Sequence, residues 1–373
     1  MTARPARVLH LLVAMPLGGL ELQLLNIMRR YDRRRFTPVL CCIRELGELG
    51  LDARREGIET HVLGRMRTNR FDPVLIPRLA RLLREQKIDL LRTLQYHCNA
   101  YGRVAAALAG TPVVCSVHQA VAGSKWHRRL VNRLLAGRTD AIVAVSAAAR
   151  DLMLREDRVP PDLVRVIHNG VDMKAFSPAT DKAGAKLEAG LDPGQQVVVN
   201  VARLSGQKGQ RYLVEALALS RVRPKCAIVG AGPEESALRD LAARLGLGDR
   251  VLFPGASREV QRWLRAADLY AFPSLWEGLG NAFIEAMACG LPSVASDLPC
   301  LREIATPKEA VFVPPEDAAA LAEAIDGLLE DGVRMAEMGA AARRRAEKNF
   351  SIERTVRAYQ DLYDELLARR NAA

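Results

Sequence analysis

Residues 271–292 read AFPSLWEGLGNAFIEAMACGLP, and their order of apolar run, glycine turn and helix decides the fold. The run ADLYAFPS (267–274) has the composition of a buried strand. Trp276-Glu277-Gly278-Leu279-Gly280 then places two glycines where a tight turn is needed. Asn281 to Cys289 has helical propensity, and Gly290 with Pro292 supplies the stop. Such a unit gathers free backbone N–H groups and the positive end of a helix dipole, an anion site that suits a diphosphate. Glu285 falls about one turn inside the helix, and a carboxylate that accepts two hydroxyl hydrogen bonds suits a ribose diol. Glu277, in the turn, would face whatever lies beyond the phosphates.

Working outward, the same unit repeats. QVVVNVARL (196–204), KCAIVGAG (225–232), RVLFPG (250–255), LPSVASD (291–297) and AVFVP (310–314) read as strands in the second half. RVLHLLVA (7–14), FTPVLCCI (36–43), IETHVL (58–63), DLLRTL (89–94), TPVVCSVH (111–118) and AIVAVS (141–146) do so in the first. Helical patterns such as 20–31 and 72–87 lie between them. Apolar strand, turn and amphipathic helix in alternation predict α/β architecture with parallel sheets covered on both faces. A chain of 373 residues is comfortable as two such domains. Three Gly and two Pro in FSPATDKAGAKLEAGLDPGQ (176–195) place the break there. The expected domains are 1–175 with a returning segment 352–373, and 176–351. The last segment, 351–370, reads as a helix opened by Ser351.

Other turns carry charge. In VVNVARLSGQKGQRYL (198–213), Arg203 ends a strand and Lys208 sits in the following turn, where ligands of parallel sheets bind. Both could stabilise charge on a departing diphosphate. IVGAGP (228–233) gives G-x-G without a third glycine, so a dinucleotide site is not indicated. In the first half, Gly18 and Gly19 follow the first strand and let a ligand approach the backbone. His118 ends its strand, and His97 with Asn99 forms a second candidate. His10 and His61 read as strand residues, and no three histidines have metal-ligand spacing with carboxylates.

Bulk properties narrow the class. Hydrophobic residues are 49% and charged residues 26%, a globular profile. Seven cysteines without a C-x-x-C pair predict buried, reduced thiols and a cytoplasmic protein. The start has no signal-peptide form, and no apolar run is long enough to span a membrane. The net charge of +11 is uneven: residues 1–180 carry +13 and residues 181–373 carry −2. A basic first half suggests an anionic partner. It lacks the aromatic interleaving of a single-strand groove, which argues against nucleic acid.

Taken together, GGLE (18–21), VIHNGVDMKAFSP (166–178), VARLSGQKG (201–209), IVGAGP, LFPGAS (252–257) and PSLWEGLGNAFIEAMACGLPSVAS (273–296) resemble the retaining glycosyltransferases of family 4. The resemblance implies a GT-B fold: two Rossmann-like domains facing a central cleft, with the C-terminal helix crossing back to the N-terminal domain. It implies that Arg203 and Lys208 contact the diphosphate of a nucleotide sugar and that Glu285 binds its ribose. Glu277, with Gly278, Leu279, Gly280 and Asn281, would contact the donor sugar and phosphates. Phe253, Pro254 and Gly255 would lie by the nucleobase, and Gly18 and Gly19 under the phosphates. His118 matches the family's first-domain histidine near the donor sugar. The expected catalytic set is therefore Glu277, His118, Arg203 and Lys208, with no metal or other cofactor.

The acceptor is read from weaker signals. KWHRRLVNRLLAGR (125–138) places Trp126, Leu130, Leu134 and Leu135 near one helical face, with Lys125, Arg128, Arg129 and Arg133 around them. A basic amphipathic helix can lie on an anionic membrane. With the basic first half it points to a polyprenyl-linked glycan acceptor in surface polysaccharide synthesis, and to peripheral attachment at the inner face of the plasma membrane. A UDP sugar is the first expectation and a GDP sugar the next. Two other readings stay open: another GT-B enzyme, such as a sugar phosphorylase or nucleotide-sugar epimerase, and a catalytically silent scaffold.

Overall fold

A computed structural model describes residues 4–65, 71–118 and 126–372. They form two units, one from residues 1–169 and 352–373, the other from 170–351.

In chain order the first unit contains β1 (Ala6–Ala14), α1 (Gly19–Arg29), β2 (Phe36–Glu45), α2 (Gly47–Arg55), β3 (Glu59–Val62), α3 (Leu75–Glu85) and β4 (Leu90–Leu94). It continues with α4 (Tyr96–Ala109), β5 (Val113–Val117), α5 (Trp126–Ala136), β6 (Ala141–Ala144), α6 (Ala147–Glu156) and β7 (Val164–Val166). The described strands form one parallel sheet in the order β3-β2-β1-β4-β5-β6-β7. Side chains alternate between its faces, as pleating requires. Leu9, Leu11, Val39 and Leu91 meet Leu79 and Leu83 of α3 and Tyr101 and Ala105 of α4. Leu12, Leu40 and Cys42 meet Leu24 and Met28 of α1 on the other face. All five residues of β4 are buried, because helices cover both sides of it.

The second unit contains α7 (Lys182–Glu188), β8 (Val197–Val201), α8 (Gln210–Leu219), β9 (Lys225–Val229), α9 (Glu235–Arg244), β10 (Val251–Gly255) and α10 (Val260–Ala266). Then follow β11 (Leu269–Phe272), α11 (Asn281–Ala288), β12 (Ser293–Ser296), α12 (Pro299–Ile304), β13 (Ala310–Val313), α13 (Ala318–Leu329) and α14 (Gly332–Asn349). Its parallel sheet has the order β10-β9-β8-β11-β12-β13. The chain winds one way from β8 to β10 and the other way from β11 to β13. The carboxyl ends of β8 and β11 therefore flank a topological switch point, where ligands of open α/β sheets bind.

The last helix, α15 (Ile352–Ala372), belongs to the first unit. Ile352, Val356, Tyr359, Tyr363 and Leu366 recur at helical spacing and pack on Val8, Leu90, Val114 and Val143.

Three details differ from the sequence reading. The division falls between Asn169 and Gly170, so residues 170–175 belong to the second unit. The stretch 176–195 is not a plain linker: it holds α7, whose Asp181 side chain accepts from Gly184 N at its start. Lys186 of α7 is buried and pairs with Asp268 at 2.8 Å, which fixes the stretch to the second unit. Strand β7 was missed because three residues are too few for a period-2 pattern.

Candidate functional site

The carboxyl ends of β8 and β11 carry most of the sequence-predicted residues. After β8 the chain makes a short turn, Gly206–Lys208, that ends at Gly209 with φ +63°. A Cβ at Gly209 would stand 2.0 Å from the Pro273 carbonyl oxygen, so only glycine allows this turn to press against the segment after β11. That approach delivers Lys208 Nζ to 2.5 Å from Glu277 Oε1. Ser274 Oγ donates to the same oxygen at 2.9 Å. The Glu277 side chain is 7% exposed and that of Lys208 20%, so the pair is largely withdrawn from water. Gln207 Nε2 donates to the Trp276 carbonyl at 2.9 Å and holds the Trp276-Glu277-Gly278 turn in place. Arg203 lies two residues beyond β8, with an exposed side chain that makes no hydrogen bond among the described residues. Its carbonyl accepts from Gln210 Nε2 at 3.1 Å.

Helix α11 starts at Asn281 behind Gly280, whose φ of +98° is open to glycine and costly for other residues. No side chain caps its first turn, where Phe283 N donates to the Gly280 carbonyl at 3.1 Å, and the positive end of the helix dipole faces outward from Gly280. Leu279 is buried and anchors the turn. Beneath it Tyr270, Phe272 and Phe283 stack, with ring centroids 5.8–6.5 Å apart. Glu285 is near enough to Tyr270 for its charge to raise that phenol's pKa, and its carboxylate makes no hydrogen bond or ion pair among the described residues. Burial pushes it up to about 7. A desolvated carboxylate without a partner is an acceptor held ready for a ligand's hydroxyls.

Phe253, Pro254 and Gly255 close β10 at the far side of the same sheet. Phe253 is half-buried under the Arg239 guanidinium, 4.8 Å from its ring centroid, and Pro254 is exposed. Arg239, Ser274 and Gln207 were not singled out from sequence. Gln207 and Arg239 act on residues distant in the chain, and no local pattern reports that, whereas Ser274 reaches Glu277 three residues on.

The other predicted residues lie on the first unit's sheet. Gly18 caps α1 in an extended conformation, φ −158°, so its backbone freedom is not what requires glycine there. A Cβ would instead stand 2.4 Å from Glu21 Oε2, because the buried Glu21 carboxylate folds back against Gly18. Burial raises the Glu21 pKa. Gly19 is exposed as the first residue of α1. His118 follows β5; its Nε2 is buried without a hydrogen-bond partner among the described residues. Burial, together with the nearby Arg92 cation, pulls its pKa down to about 3, so the imidazole is neutral at physiological pH. Asn99 is a buried structural residue, bonded to Thr93 Oγ1 at 2.7 Å and to the Ser116 carbonyl at 3.3 Å. His97 packs edge-on to Tyr96, with centroids 5.5 Å apart. Before them Gln95 adopts φ +74°, ψ +154°, a strained conformation for a residue with a side chain.

On α5, Trp126, Leu130 and Leu134 are exposed at 75%, 46% and 69%, one residue per helical turn. The basic residues are less free than the sequence suggested. Arg129 pairs with Glu156 at 2.7 Å, and Arg128 covers the Tyr96 ring at 4.8 Å. Arg133 is exposed, Leu135 is partly buried, and Lys125 lies outside the described residues. Among the described residues no three His, Cys, Asp or Glu are placed to hold a metal ion, and no helix is long and apolar enough to cross a membrane.

Two family models match the chain: glycosyltransferase family 4 over residues 17–175, and glycosyl transferases group 1 over residues 184–345. The lipopolysaccharide core biosynthesis mannosyltransferase LpsB of Rhizobium meliloti is 34% identical over 253 residues, covering 65% of this chain and 69% of that protein. The UDP-Gal:alpha-D-GlcNAc-diphosphoundecaprenol alpha-1,3-galactosyltransferase of Escherichia coli is 28% identical over 307 residues, covering 78% of each. Among solved structures, Anabaena HepE in complex with UDP and glucose superposes with a TM-score of 0.87 at 24% identity, covering 96% of this chain and 100% of that one.

Proposed function

We propose, given that the chain belongs to the group 1 glycosyltransferases of family 4, that it moves a hexose from a nucleoside diphosphate sugar to a lipid-linked glycan with retention at the anomeric carbon. The chain is a GT-B glycosyltransferase, and its named relatives transfer mannose or galactose. The observation that carries the finer reading is the cluster at the β8–β11 switch point. The Lys208–Glu277 pair, the partner-free Glu285 and the start of α11 offer a cation, two carboxylates and the positive end of a helix dipole on one sheet edge.

In this reading the second unit holds the sugar donor and the first takes the acceptor. Glu285 accepts the two ribose hydroxyls. The leading N–H groups of α11, Arg203 and Lys208 face the diphosphate. As the bond from the anomeric carbon to the diphosphate oxygen breaks, negative charge grows on that oxygen and the two cations stabilise it. Glu277, held by Lys208 and Ser274, faces the hexose. Phe253, Pro254 and Gly255 lie by the base, Gly18 and Gly19 by the phosphates. Neutral His118 presents a hydrogen-bonding imidazole to the sugar. The site works without a metal ion, because fixed cations and helix N–H groups meet the diphosphate charge.

The Escherichia coli relative is named for a UDP sugar and a diphosphoundecaprenol-linked acceptor, which supports uridine as the first nucleotide to test, guanosine the second, and a polyprenyl acceptor. The exposed Trp126, Leu130 and Leu134 support peripheral contact with an anionic membrane. Thermal shift against UDP, GDP and ADP sugars identifies the nucleotide. Transfer in EDTA and the anomeric configuration of the product then test metal independence and retention. Loss of activity in EDTA restored by magnesium, or an inverted product, overturns the corresponding part.

A further inference from the structure

The first unit buries a positive charge that helps keep His118 neutral but has no counter-charge of its own. Arg92, in the middle of β4, is 1% exposed. Its Nε donates to Ser116 Oγ at 3.1 Å, and its guanidinium covers the Tyr359 ring at 3.7 Å. Tyr363, the other aromatic of α15 here, packs on Tyr359 with ring centroids 6.0 Å apart. Among the described residues Arg92 forms no ion pair, and its Nη1 is buried without any hydrogen-bond partner. His10 stands directly across from Arg92 in the β1–β4 register and is fully buried. Its Nε2 lies 3.1 Å from the Tyr31 hydroxyl, which lies 3.2 Å from that of Tyr363. Its Nδ1 has no partner, and neither does the hydroxyl of Tyr359, also buried.

Three unpartnered polar atoms in a sealed layer around one guanidinium need a physical account, since a buried cation without a counter-charge is expensive. Ser116, Tyr31, Tyr359, Tyr363 and His10 are uncharged side chains, and burial raises the tyrosine pKa values of Tyr31 and Tyr363 and lowers that of His10. None of them supplies the missing negative charge. Guanidinium N–H, phenol O–H and imidazole N–H can all donate to one acceptor. We propose that the layer between β1, β4 and α15 binds a small monovalent inorganic anion of halide type, held by Arg92 Nη1, the Tyr359 hydroxyl and His10 Nδ1.

The site joins α15 to the sheet, so anion binding stabilises the full chain by mass action. The test is thermal unfolding of the full chain in sodium chloride or bromide against sodium gluconate at matched ionic strength. Tm should rise saturably, by about 2–4 °C once halide exceeds its dissociation constant about fivefold. Arg92→Met should lose that response. Tyr359→Phe keeps the ring over the guanidinium, removes one donor and should weaken halide binding, which keeps the test valid if Arg92→Met does not fold. Bromide-soaked crystals should show an anomalous peak beside Arg92 Nη1. Equal Tm in halide and gluconate, an unaltered halide response in Tyr359→Phe, or water in place of the anomalous peak overturns the proposal. None of these readouts depends on transferase activity, so the anion site and the proposed reaction can fail separately.

Discussion

Lys208 Nζ and Glu277 Oε1 lie 2.5 Å apart although 69 residues separate them in the chain. The turn after β8 and the turn after β11 thus share one charge pair at the switch point of the sheet. With Glu277 7% exposed, removal of Lys208 leaves a carboxylate whose compensating cation is gone. Lys208→Met should cut turnover by about 10- to 150-fold, the usual range for a lost charge-assisted hydrogen bond. Glu277→Gln should cost a similar factor, and the double variant far less than the product of the two, because the residues act as one unit. Steady-state kinetics on the four proteins give the cycle; multiplicative losses would show that the pair is not coupled.

Arg203 has no partner within its unit, so its charge is free for a ligand. Arg203→Ala should lower kcat more than it raises KM for the sugar donor, since charge on the diphosphate grows toward the transition state. A pure KM effect would assign Arg203 to ground-state binding only.

Glu285 should give binding of the sugar donor a pH dependence. Its carboxyl is raised to about 7 by burial, and the ionised form is the better acceptor of two hydroxyl bonds. Affinity for the free nucleotide diphosphate should therefore increase as pH rises through 7 and level off above it. At pH 6 roughly a tenth of the sites are competent, so binding should be about tenfold weaker than on the plateau. Cys289 and Tyr270, beside it, stay protonated through that window, because burial and the Glu285 charge raise both. Stability runs the opposite way. The folded pKa lies above the unfolded one, so this group's contribution is full below about pH 4.5 and is lost as pH rises toward 7. Titration calorimetry across pH 5.5–8.5 on wild type and Glu285→Gln reads the affinity, and thermal unfolding across pH 4–8 reads the stability; an unchanged profile in the variant places the dependence elsewhere.

Gly209→Ala tests the contact between the two turns. The substitution puts a Cβ 2.0 Å from the Pro273 carbonyl and forces a left-handed conformation on alanine. The conformation alone costs about 1–2 kcal/mol. Tm should fall by at least about 2–4 °C, with loss of affinity for the sugar donor. Wild-type stability would mean that the turns do not need so close an approach.

The sequence made much of this site legible for a specific reason. Gly278, Gly280, Gly290 and Pro292 punctuate a strand–turn–helix unit, and Glu277 and Glu285 hold fixed places within it. Backbone requirements of that kind are local, so they can be read locally. Lys208 on Glu277, Gln207 on the Trp276 carbonyl and Arg239 on Phe253 are tertiary facts, and nothing around those residues announces them. Gly18 sits in the turn that opens α1, with the end of the flexible Glu21 side chain folded against it, a contact that no local pattern reports. The stretch 176–195 misled because its Gly and Pro content resembles a linker, whereas a buried Lys186–Asp268 pair ties it down. Arg92 passed unnoticed because DLLRTL satisfies a strand pattern whether or not its cation is buried.

The membrane prediction rests on α5. Trp126, Leu130 and Leu134 expose apolar surface once per turn, and Arg133 adds an exposed cation. Arg129 and Arg128 contribute less than their number suggests, since one is paired with Glu156 and the other lies over Tyr96. The apolar stripe should therefore dominate insertion, with the cations tuning it. Each Lys or Arg near an anionic surface adds about 1 kcal/mol, screened beyond roughly 8–10 Å at physiological salt. Wild type should cosediment with vesicles containing phosphatidylglycerol at low salt and partly dissociate as salt rises. Leu130→Ser with Leu134→Ser should abolish cosedimentation at every salt concentration, whereas Arg133→Gln should only shift the salt midpoint downward. Neither change touches the sheet edge of the second unit, so turnover with a soluble acceptor analogue should hold while transfer to a vesicle-embedded acceptor falls. If the double serine variant still cosediments, α5 is not the contact. If wild type never does, the acceptor is soluble and the basic first half answers to another anionic partner.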